Sequence, residues 1–488
     1  MSFSPILAST VTTWHSDIDV VVLGFGGAGA CAAIEAHDEG AQVAIFEAAS
    51  AAGGSTALSS AELYLGGGTE VQIACGYADT VDAMYGYLMD ANGPQADAEK
   101  VRAYAEGSAD HFLWLKSLGL PFKNSEYPHR AMMAMSDDCL LYTGSEKAWP
   151  YAERYQPAPR GHNLEILGDN GGPLFMKQMA GAIAARSIAT YFDARALRLI
   201  VDEAQRVVGV VVRMNMEAHY IRAKQGVILC CGGFVMNKTM MAKYAPELSK
   251  ATVPIGNPND TGAGIQMGLS VGAAAINMHE GFVSLPFYPP ASLTYGILVN
   301  AQGRRFINED AYHGRVGAFL LRQDLPVYFV MTSDAYADYE TSSYLAAPIA
   351  GTGETLEELA DELNLPAGAL AATVSDYNSA AVLGNDPLFF KSAEWLKPLD
   401  GTLVALDCSP GQGAFFPYFT LGGLDTLPTG EVLDYQGHII AGLYAAGRTA
   451  CGVPRRGDGY ASGTSVGDAT FSGRRAGSAA AQFFLEND

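Results

Sequence analysis

Three glycines near the amino terminus have the spacing of a phosphate-binding turn. Gly24, Gly26 and Gly29 follow the apolar run 20–23 and precede a stretch of small residues that predicts a helix. The first glycine permits a tight turn, the second lets the backbone approach a pyrophosphate, and the third lets helix and strand pack closely. The beginning of the helix adds free N–H groups and a positive dipole end. The spacing therefore predicts a dinucleotide site.

Glu47 and the segment after it indicate which dinucleotide is bound. Glu47 ends the next apolar run, where an acid can accept hydrogen bonds from a ribose; an unrelated glycine-rich turn would not need it. The segment 53–56, Gly-Gly-Ser-Thr, follows directly. It resembles the segment that crosses back under the pyrophosphate and flavin in flavoproteins of the glutathione-reductase type, whereas nicotinamide enzymes normally continue with further βα units. We therefore expect non-covalently bound FAD.

Later segments repeat the pattern of a strand end or a helix start rich in glycine. An apolar strand ends at Gly232, a helix begins after 259–262, a last strand ends at Gly447, and 463–468 begins the C-terminal helix. Each is an ordinary turn on the alternative interpretation. The helix that begins at 463–468 would direct its N–H groups at the flavin and stabilise the anionic reduced form of the flavin. The predicted cofactor-binding residues are Gly24, Gly26, Gly27, Ala28, Gly29, Glu47, Ala48, Gly53, Gly54, Ser55, Thr56, Ala196, Gly232, Asp260, Gly262, Gly447, Arg448, Gly463, Thr464, Ser465 and Val466.

Length and composition predict two domains of the α/β class. The chain has 488 residues, which is long for one core. From about 275 to 405 the composition shifts to loops rich in Pro, Tyr and Phe and to amphipathic helices. We expect a Rossmann-like FAD-binding domain from 1–275 and 406–488, with an α+β catalytic cap domain, 276–405, inserted between the two parts.

Charge, hydropathy and cysteine content exclude several classes of binding partner and cofactor. A net charge of −22 argues against nucleic acid and anionic membrane surfaces. No apolar run reaches the roughly 20 residues of a membrane-spanning helix, and 1–16 lacks the basic start of a signal peptide, so we expect a cytoplasmic protein without stable membrane insertion. Seven cysteines without a CxxC spacing suggest reduced thiols and predict no metal, haem or iron–sulfur site. Electrons are then expected to pass to an external acceptor.

The order of these motifs resembles the succinate dehydrogenase/fumarate reductase flavoprotein family over nearly the whole chain. That resemblance implies oxidation or reduction of a C–C bond beside a carbonyl or carboxylate, with flavin N5 as the hydride partner. The segments that carry it are 24–29, Glu47, 53–55, 303–309, 420–424, 442–447 and 471–477.

Departures from the fumarate reductase pattern indicate the substrate class. Phe419 stands where fumarate reductases have a histidine, Tyr460 where they have an arginine, and His313 where they have the proton-donor arginine. A carboxylate without cationic partners is poorly compensated in a desolvated site. We therefore expect a neutral ketone rather than a dicarboxylate. Arg448 is a further departure, because the wider family usually has an acid there.

The segments 459–463 and 309–315 are similar to those of the 3-ketosteroid Δ4-(5α)-dehydrogenases, whereas the Δ1 branch has Pro-Gly-Pro-Gly after its tyrosine. The resemblance implies desaturation of a 3-keto-5α-steroid between C4 and C5 in steroid catabolism. The alternatives are a Δ1-dehydrogenase, a fumarate-reductase-like reductase of another unsaturated substrate, and a flavin-binding module without turnover.

The resemblance implies roles for three side chains. The Tyr460 hydroxyl, with the Gly463 N–H, would stabilise the C3 oxygen as it becomes an enolate. Ser462 would take the C4 proton, and Tyr312 would relay it to solvent, since serine alone is a weak base. A packing role for Tyr460 and an N-cap role for Ser462 are the alternatives. The predicted substrate contacts are Gly463, Phe416 and Tyr418; other candidate walls, with core packing as the alternative, are Phe282, Leu285, Phe287, Tyr288, Phe415 and Phe419.

Overall fold

The computed structural model describes residues 3–483, so the outermost parts of the two predicted FAD-domain segments, 1–2 and 484–488, lie outside the described residues. The fold is α/β, as the sequence predicted. Its strands, numbered along the chain, are β1 (Ile6–Leu7), β2 (Ser16–Leu23), β3 (Val43–Phe46), β4 (Leu63–Tyr64), β5 (Leu140–Leu141), β6 (Gly161–His162), β7 (Ala189–Tyr191), β8 (Arg195–Val201), β9 (Val207–Met214), β10 (Glu217–Leu229), β11 (Val253–Pro254), β12 (Ala275–Ile276), β13 (Gly281–Val283), β14 (Ile297–Val299), β15 (Tyr328–Thr332), β16 (Ile349–Gly353), β17 (Leu403–Asp407), β18 (Pro417–Thr420), β19 (Gly423–Leu424), β20 (Glu431–Leu433) and β21 (Ile439–Ala445).

The helices are numbered in the same way. They are α1 (Gly27–Asp38), α2 (Glu70–Ala74), α3 (Val81–Asn92), α4 (Ala98–Ser117), α5 (Tyr151–Arg154), α6 (Gly171–Ala185), α7 (Lys238–Tyr244), α8 (Ala263–Ser270), α9 (His313–Leu320), α10 (Ser333–Ser342), α11 (Leu356–Glu362), α12 (Ala369–Leu383) and α13 (Thr464–Gln482).

The central sheet joins strands from both ends of the chain. Its order is β1-β8-β9-β10-β2-β3-β7, and β21 pairs with β10 on the same sheet. The parallel strands β3, β2, β10 and β21 end side by side, because Leu23 is paired with Phe46 and with Leu229, and Leu229 is also paired with Ala445. Ligands of open parallel sheets bind at this carboxyl edge. The topology therefore brings four of the predicted cofactor segments to one place.

Small residues allow α1 and α13 to pack closely over this sheet. A side chain on Gly473 would overlap the carbonyl oxygen of Ala28, and one on Gly477 would overlap that of Ala32. These glycines let the two helix backbones approach each other, so both helices begin beside the carboxyl edge of the sheet. The first and last helices thus form one layer.

Residues between the two FAD-binding segments form a second sheet with its own core. Its order is β14-β15-β17-β16, all antiparallel, and α11 and α12 cover one face. Leu359, Leu370 and Val374 from these helices are buried against Ile297 and Val330. The predicted domain boundaries near 275 and 405 stay predictions.

A further, three-stranded sheet has the order β11-β18-β13. Phe419 on β18 is paired with Phe282 on β13, so both rings project on the same side. No helix within residues 3–483 is long and apolar enough to cross a membrane. Within the same residues, no group of three or more His, Cys, Asp and Glu side chains could hold a metal ion, and all seven cysteines are free.

Candidate active site

A cavity of about 440 Å³ opens at the carboxyl edge of the central sheet. Its walls come from the turn after β2, the segment after β3, the ends of β10 and β21, and the beginning of α13. On the other side it reaches β13, β18 and the beginning of α9. The cavity therefore extends from the predicted dinucleotide site to the predicted substrate residues.

The glycine turn has the sterics that its spacing predicted. Gly24 has φ +105°, and a side chain there would overlap the Cys230 carbonyl oxygen. Gly29 packs under the turn, where a side chain would overlap the carbonyl oxygen of Gly24. Gly26 is the N-cap of α1, and the Gly27 N–H donates to Thr56 Oγ1 at 3.1 Å. The turn thus presents backbone rather than side chains to the cavity.

Glu47 lies in the cavity wall with its carboxylate held by backbone donors. The Phe25 N–H donates to Oε2 at 2.6 Å and the Ala49 N–H donates to Oε1 at 2.8 Å. The side chain is buried and lines the cavity together with Ala48. These hydrogen bonds hold the carboxylate in the position from which a ribose would be bound.

Arg448 and Asp260 form an ion pair in the wall, with Arg448 Nη2 at 3.0 Å from Asp260 Oδ2. The Ser55 hydroxyl donates to the same oxygen at 2.5 Å, and the Asn257 N–H donates to Ser55 at 2.8 Å. Gly232 allows this arrangement, because a side chain there would overlap Asp260. The unusual arginine thus has a local counter-charge.

The beginning of α13 faces the cavity through Gly463, Ser465 and Val466. Gly463 is the N-cap with φ +86°, and a Cβ there would lie 2.8 Å from the Tyr64 nitrogen, so glycine is required. The buried Ser465 hydroxyl makes no hydrogen bond with the described residues. The glycine turn, Glu47, this helix start and an unpartnered hydroxyl together fit FAD.

Most of the predicted cofactor residues line the cavity, and four lie just behind its wall: Gly29, Gly53, Gly262 and Thr464. The Gly53 N–H donates to the Phe25 carbonyl at 2.8 Å, and Thr464 Oγ1 donates to the Ala461 carbonyl at 2.8 Å. Gly262 has φ +73° and packs against Met240. These four shape the turns; whether each contacts the cofactor stays a prediction.

Tyr460, Ser462 and Tyr312 converge at the aromatic part of the cavity wall, where Phe282 packs against both tyrosine rings. The Tyr460 ring packs against Phe282 and Phe419, with centroids 4.7 and 5.6 Å apart. Burial raises the pKa of Tyr460 to about 12 and holds that of Tyr312 well above its usual range, so both phenols are neutral. The Tyr312 hydroxyl has no hydrogen-bond partner among the described residues.

Ser462 is positioned by hydrogen bonds of its backbone groups, and its side chain lines the cavity. Its N–H donates to the Thr143 carbonyl at 2.8 Å, and its carbonyl accepts from Thr143 Oγ1 at 3.0 Å. The hydroxyl is near enough to the Tyr312 hydroxyl to lower the pKa of that phenol. The three predicted catalytic side chains are therefore neighbours, and their roles stay predictions.

Phe416 and Tyr418 lie outside the cavity and pack in the main core, contrary to their predicted substrate contacts. Successive side chains along β18 and the residues before it alternate in direction, so Phe415, Pro417 and Phe419 face the cavity instead. Leu285, Phe287 and Tyr288 are likewise core residues, whereas Phe282 lines the cavity.

Glu62 and His313 are polar residues of this wall to which sequence reasoning assigned no role. His313 is buried, its Nδ1 is 2.5 Å from Ser284 Oγ, and burial lowers its pKa to about 3. Glu62 is buried beside Ser462 and is the one acid in the run 57–65. An acid in an otherwise apolar and small-residue stretch was the available signal for Glu62. The signal for His313 was its place at the position of the proton-donor arginine of fumarate reductases, beside Tyr312.

Comparison with known proteins identifies relatives over almost the whole chain. Residues 19–459 match the FAD binding domain family. The crystal structure of 3-ketosteroid-Δ4-(5α)-dehydrogenase from Rhodococcus jostii RHA1, in complex with 4-androstene-3,17-dione, superposes with a TM-score of 0.93 at 40% identity, covering 98% of this chain and 99% of that one. The similarity predicted from the sequence is thereby confirmed.

Two further relatives match nearly the whole chain at lower sequence identity. A 3-oxo-5-alpha-steroid 4-dehydrogenase of Comamonas testosteroni is 26% identical over 89% of this chain and 93% of its own length. A probable fumarate reductase of Shewanella frigidimarina is 29% identical over 96% of this chain and 75% of its own. The chain belongs to the FAD binding domain family of flavoprotein oxidoreductases, and its cofactor is FAD.

Proposed function

We propose that the protein is an FAD-dependent 3-ketosteroid Δ4-(5α)-dehydrogenase, which removes one hydrogen from C4 and one from C5 of a 3-keto-5α-steroid. The observation that carries the proposal is the convergence of Tyr460, Ser462 and Tyr312 at the aromatic end of the cavity. Identity of 40% to a relative with this activity in its name supports it.

The charges in the wall favour a neutral ketone over a dicarboxylate. Arg448 is already paired with Asp260, and the Arg195 side chain donates to Asn259 at 2.9 Å. By the resemblance described above, Tyr460 and Phe419 stand where fumarate reductases have an arginine and a histidine. A carboxylate substrate beside Phe419 would therefore meet Arg448 with its charge already neutralised by Asp260, which is unfavourable in a desolvated site.

Tyr460 is arranged to donate to the substrate oxygen. Its hydroxyl already accepts a hydrogen bond from the Ser465 N–H at 3.2 Å, so its own hydrogen remains available. With a pKa raised to about 12 by burial, it keeps that hydrogen at neutral pH. Donation to the C3 oxygen as it gains enolate character would contribute about 3–4 kcal/mol. The Gly463 N–H is the second donor that we assign to this oxygen.

Ser462 removes the C4 proton in this proposal, and the neighbouring Tyr312 hydroxyl relays it. A serine hydroxyl needs an adjacent group to accept its proton, because alone it is too weak a base. The glycine turn and the beginning of α13 would hold FAD, which would supply the acceptor for the hydride from C5. An external electron acceptor would then complete the turnover.

Anaerobic mixing of the purified protein with 5α-androstane-3,17-dione tests the proposal. We expect the flavin absorbance to bleach and 4-androstene-3,17-dione to form. A matched steroid without the 3-keto group, 5α-androstan-17-one, should leave the flavin oxidised, because no C3 oxygen is present to stabilise the carbanion. A 1-ene product would replace this proposal by the Δ1-dehydrogenase, and no bleaching with any 3-ketosteroid would overturn both.

A further inference from the structure

We propose that Glu62 accepts the proton that Ser462 takes from C4, so that the base of the reaction is a Ser462–Glu62 pair. This inference rests on the proposed function and names a further residue of the same site. Glu62 acts through Ser462 and is therefore a positioning and proton-accepting residue rather than a contact of the substrate.

Glu62 lies directly beside the loop that carries Ser462. It precedes β4, and the Tyr64 N–H of that strand donates to the Gly463 carbonyl at 3.1 Å. A Cβ on Gly463 would lie 3.1 Å from Glu62 Cγ, so the Glu62 side chain runs along the Ser462–Gly463 segment. Glu62 and Ser462 both line the cavity, and Glu62 is 2% exposed.

The Glu62 carboxyl has no structural partner that would explain its burial. Neither of its oxygens makes a hydrogen bond with the described residues. A buried carboxylate without partners is destabilising, so packing alone does not account for it. The Ser462 hydroxyl lies near enough to lower the pKa of Glu62, and it also lowers that of Tyr312. Ser462 is therefore a neighbour of both the phenol and the carboxyl.

Glu62 is the acid in this cavity that is available to accept a proton. Of the acidic side chains in the wall, Glu47 is held by two backbone N–H groups and Asp260 by Ser55 and Arg448. Tyr312 is a neutral phenol with a raised pKa, so it can relay a proton but cannot keep one. A relay through hydroxyls needs a stronger acceptor at its end, and Glu62 supplies it.

Removal of the two hydrogens from the steroid uses Ser462, Glu62, Tyr460 and FAD. The C4–H bond breaks, its proton forms a new O–H bond on Ser462, and the original Ser462 proton moves to the Glu62 carboxylate. The electron pair of the broken bond forms the enolate, whose oxygen faces Tyr460. FAD would accept the hydrogen on C5 with its electron pair, which restores the C3 ketone and forms the C4=C5 bond. Glu62 releases its proton to solvent before the next turnover, through the hydroxyls of Ser462 and Tyr312, so that Tyr312 keeps its role as the relay.

The surroundings of Glu62 set the pH at which it can act. The titratable groups that face it are Glu146 from the loop before α5, Tyr312 from the beginning of α9 and Tyr460 from the loop before α13. Burial, with the Ser462 hydroxyl opposing and Glu146 adding to it, raises the pKa of Glu62 to about 8. The accepting form is the carboxylate, so the reaction should speed up as pH rises through about 8.

The test is the rate of flavin reduction by 5α-androstane-3,17-dione between about pH 6 and 10, in wild type, Glu62→Gln and Glu62→Asp. Wild type should accelerate through about pH 8. Glu62→Gln should be slower by about 100-fold or more and lose this pH step, and Glu62→Asp should recover part of both. Binding of 4-androstene-3,17-dione, followed by the shift of the oxidised flavin spectrum, should be unchanged in Glu62→Gln.

Glu35→Gln is the matched control. Glu35 is a half-buried acid whose pKa is raised, like that of Glu62, but it lies on α1, outside the cavity and bonded to Arg474. It should keep the wild-type rate and pH step. An infrared titration should show a carboxylic acid band in wild type that disappears through about pH 8 and is missing in Glu62→Gln.

A Glu62→Gln enzyme with the wild-type rate and pH step would overturn the role of Glu62 and leave the proposed function intact. If that variant does not fold, a wild-type rate that is independent of pH from 7 to 9, where the carboxyl should titrate, overturns the role by itself. A wild-type enzyme whose flavin no 3-ketosteroid bleaches would instead refute the proposed function.

Discussion

The hydroxyl of Tyr460 accepts a hydrogen bond from the backbone N–H of Ser465, at 3.2 Å. The first turn of α13 therefore orients the phenol and leaves its hydrogen free. The same turn faces the cofactor end of the cavity through Ser465 and Val466. One helix start thus connects the cofactor site with the group that we assign to the substrate oxygen.

Tyr460→Phe should slow flavin reduction by 5α-androstane-3,17-dione by about 100- to 1000-fold, because one oxyanion donor is lost. FAD content should stay unchanged, since the ring still packs against Phe282. Tyr435→Phe is the control, because Tyr435 is 72% exposed and does not belong to the cavity wall. Near-wild-type reduction in Tyr460→Phe would contradict the oxyanion assignment.

Tyr312→Phe should change activity and stability in opposite directions. Flavin reduction should fall, because the relay hydroxyl beside Ser462 is lost. The free energy of unfolding should rise by about 1 kcal/mol, because a buried hydroxyl without a partner is removed. Stopped-flow reduction and denaturant unfolding of the same preparation measure both. A loss of stability would show that the hydroxyl has a structural partner after all.

Gly29→Ala should prevent FAD binding and destabilise the fold by about 1–3 kcal/mol or more, because the new methyl group would overlap the Gly24 carbonyl oxygen. The ratio of flavin to protein absorbance measures the first effect and thermal unfolding the second. Gly181→Ala in α6 is the matched control: no atom lies within 4 Å of the position that its new Cβ would take, so it should be neutral or stabilising. Full flavin content in Gly29→Ala would refute the role of the tight turn.

Stability should decrease in acid because of buried neutral histidines. Burial lowers the pKa of His313 to about 3, whereas an unfolded histidine titrates near 6.5. The unfolded state therefore binds a proton first as pH falls below about 6.5, and this one residue weakens folding by about 1.4 kcal/mol per pH unit until about 3. His313→Gln should show a smaller change in unfolding free energy between pH 6.5 and 4.5 than wild type. Parallel curves for both proteins would contradict a neutral buried His313.

The lowered pKa of His313 also predicts how the rate of flavin reduction depends on pH. His313 lies in the cavity wall but stays neutral near neutral pH. A step in the flavin reduction rate close to pH 6.5 should therefore be missing, and the step that we expect lies near 8, from Glu62. This separates the carboxyl from the imidazole in a single pH profile.

Local segments of the chain were enough to predict the cofactor. The glycine turn, Glu47 and the Gly-Gly-Ser-Thr segment act through the backbone geometry of a few consecutive residues. Their role can therefore be predicted without knowledge of the tertiary structure. Tyr312, Tyr460 and Ser462 came from motif resemblance, which also works position by position. The α/β class followed from the apolar runs that became β2, β3 and β10.

The substrate wall shows where such local reasoning ends. Phe416 and Tyr418 are as aromatic as Phe415 and Phe419, and composition cannot distinguish them. Their direction depends on the register of β18 against β13, and a shift of one residue exchanges the two faces of a strand. That register is set by pairing between segments more than a hundred residues apart.

The sequence by itself determined the FAD site, the family and the chemistry expected of a tyrosine and a serine before the last helix, because these reside in contiguous motifs. Only the tertiary structure decided that Glu62, from the first part of the chain, lies beside Ser462, from its end. Burial between β4 and the loop before α13 then raises the pKa of that carboxyl to about 8. Desolvation arises from the whole packed fold, so a property that depends on it is absent from any single stretch of sequence.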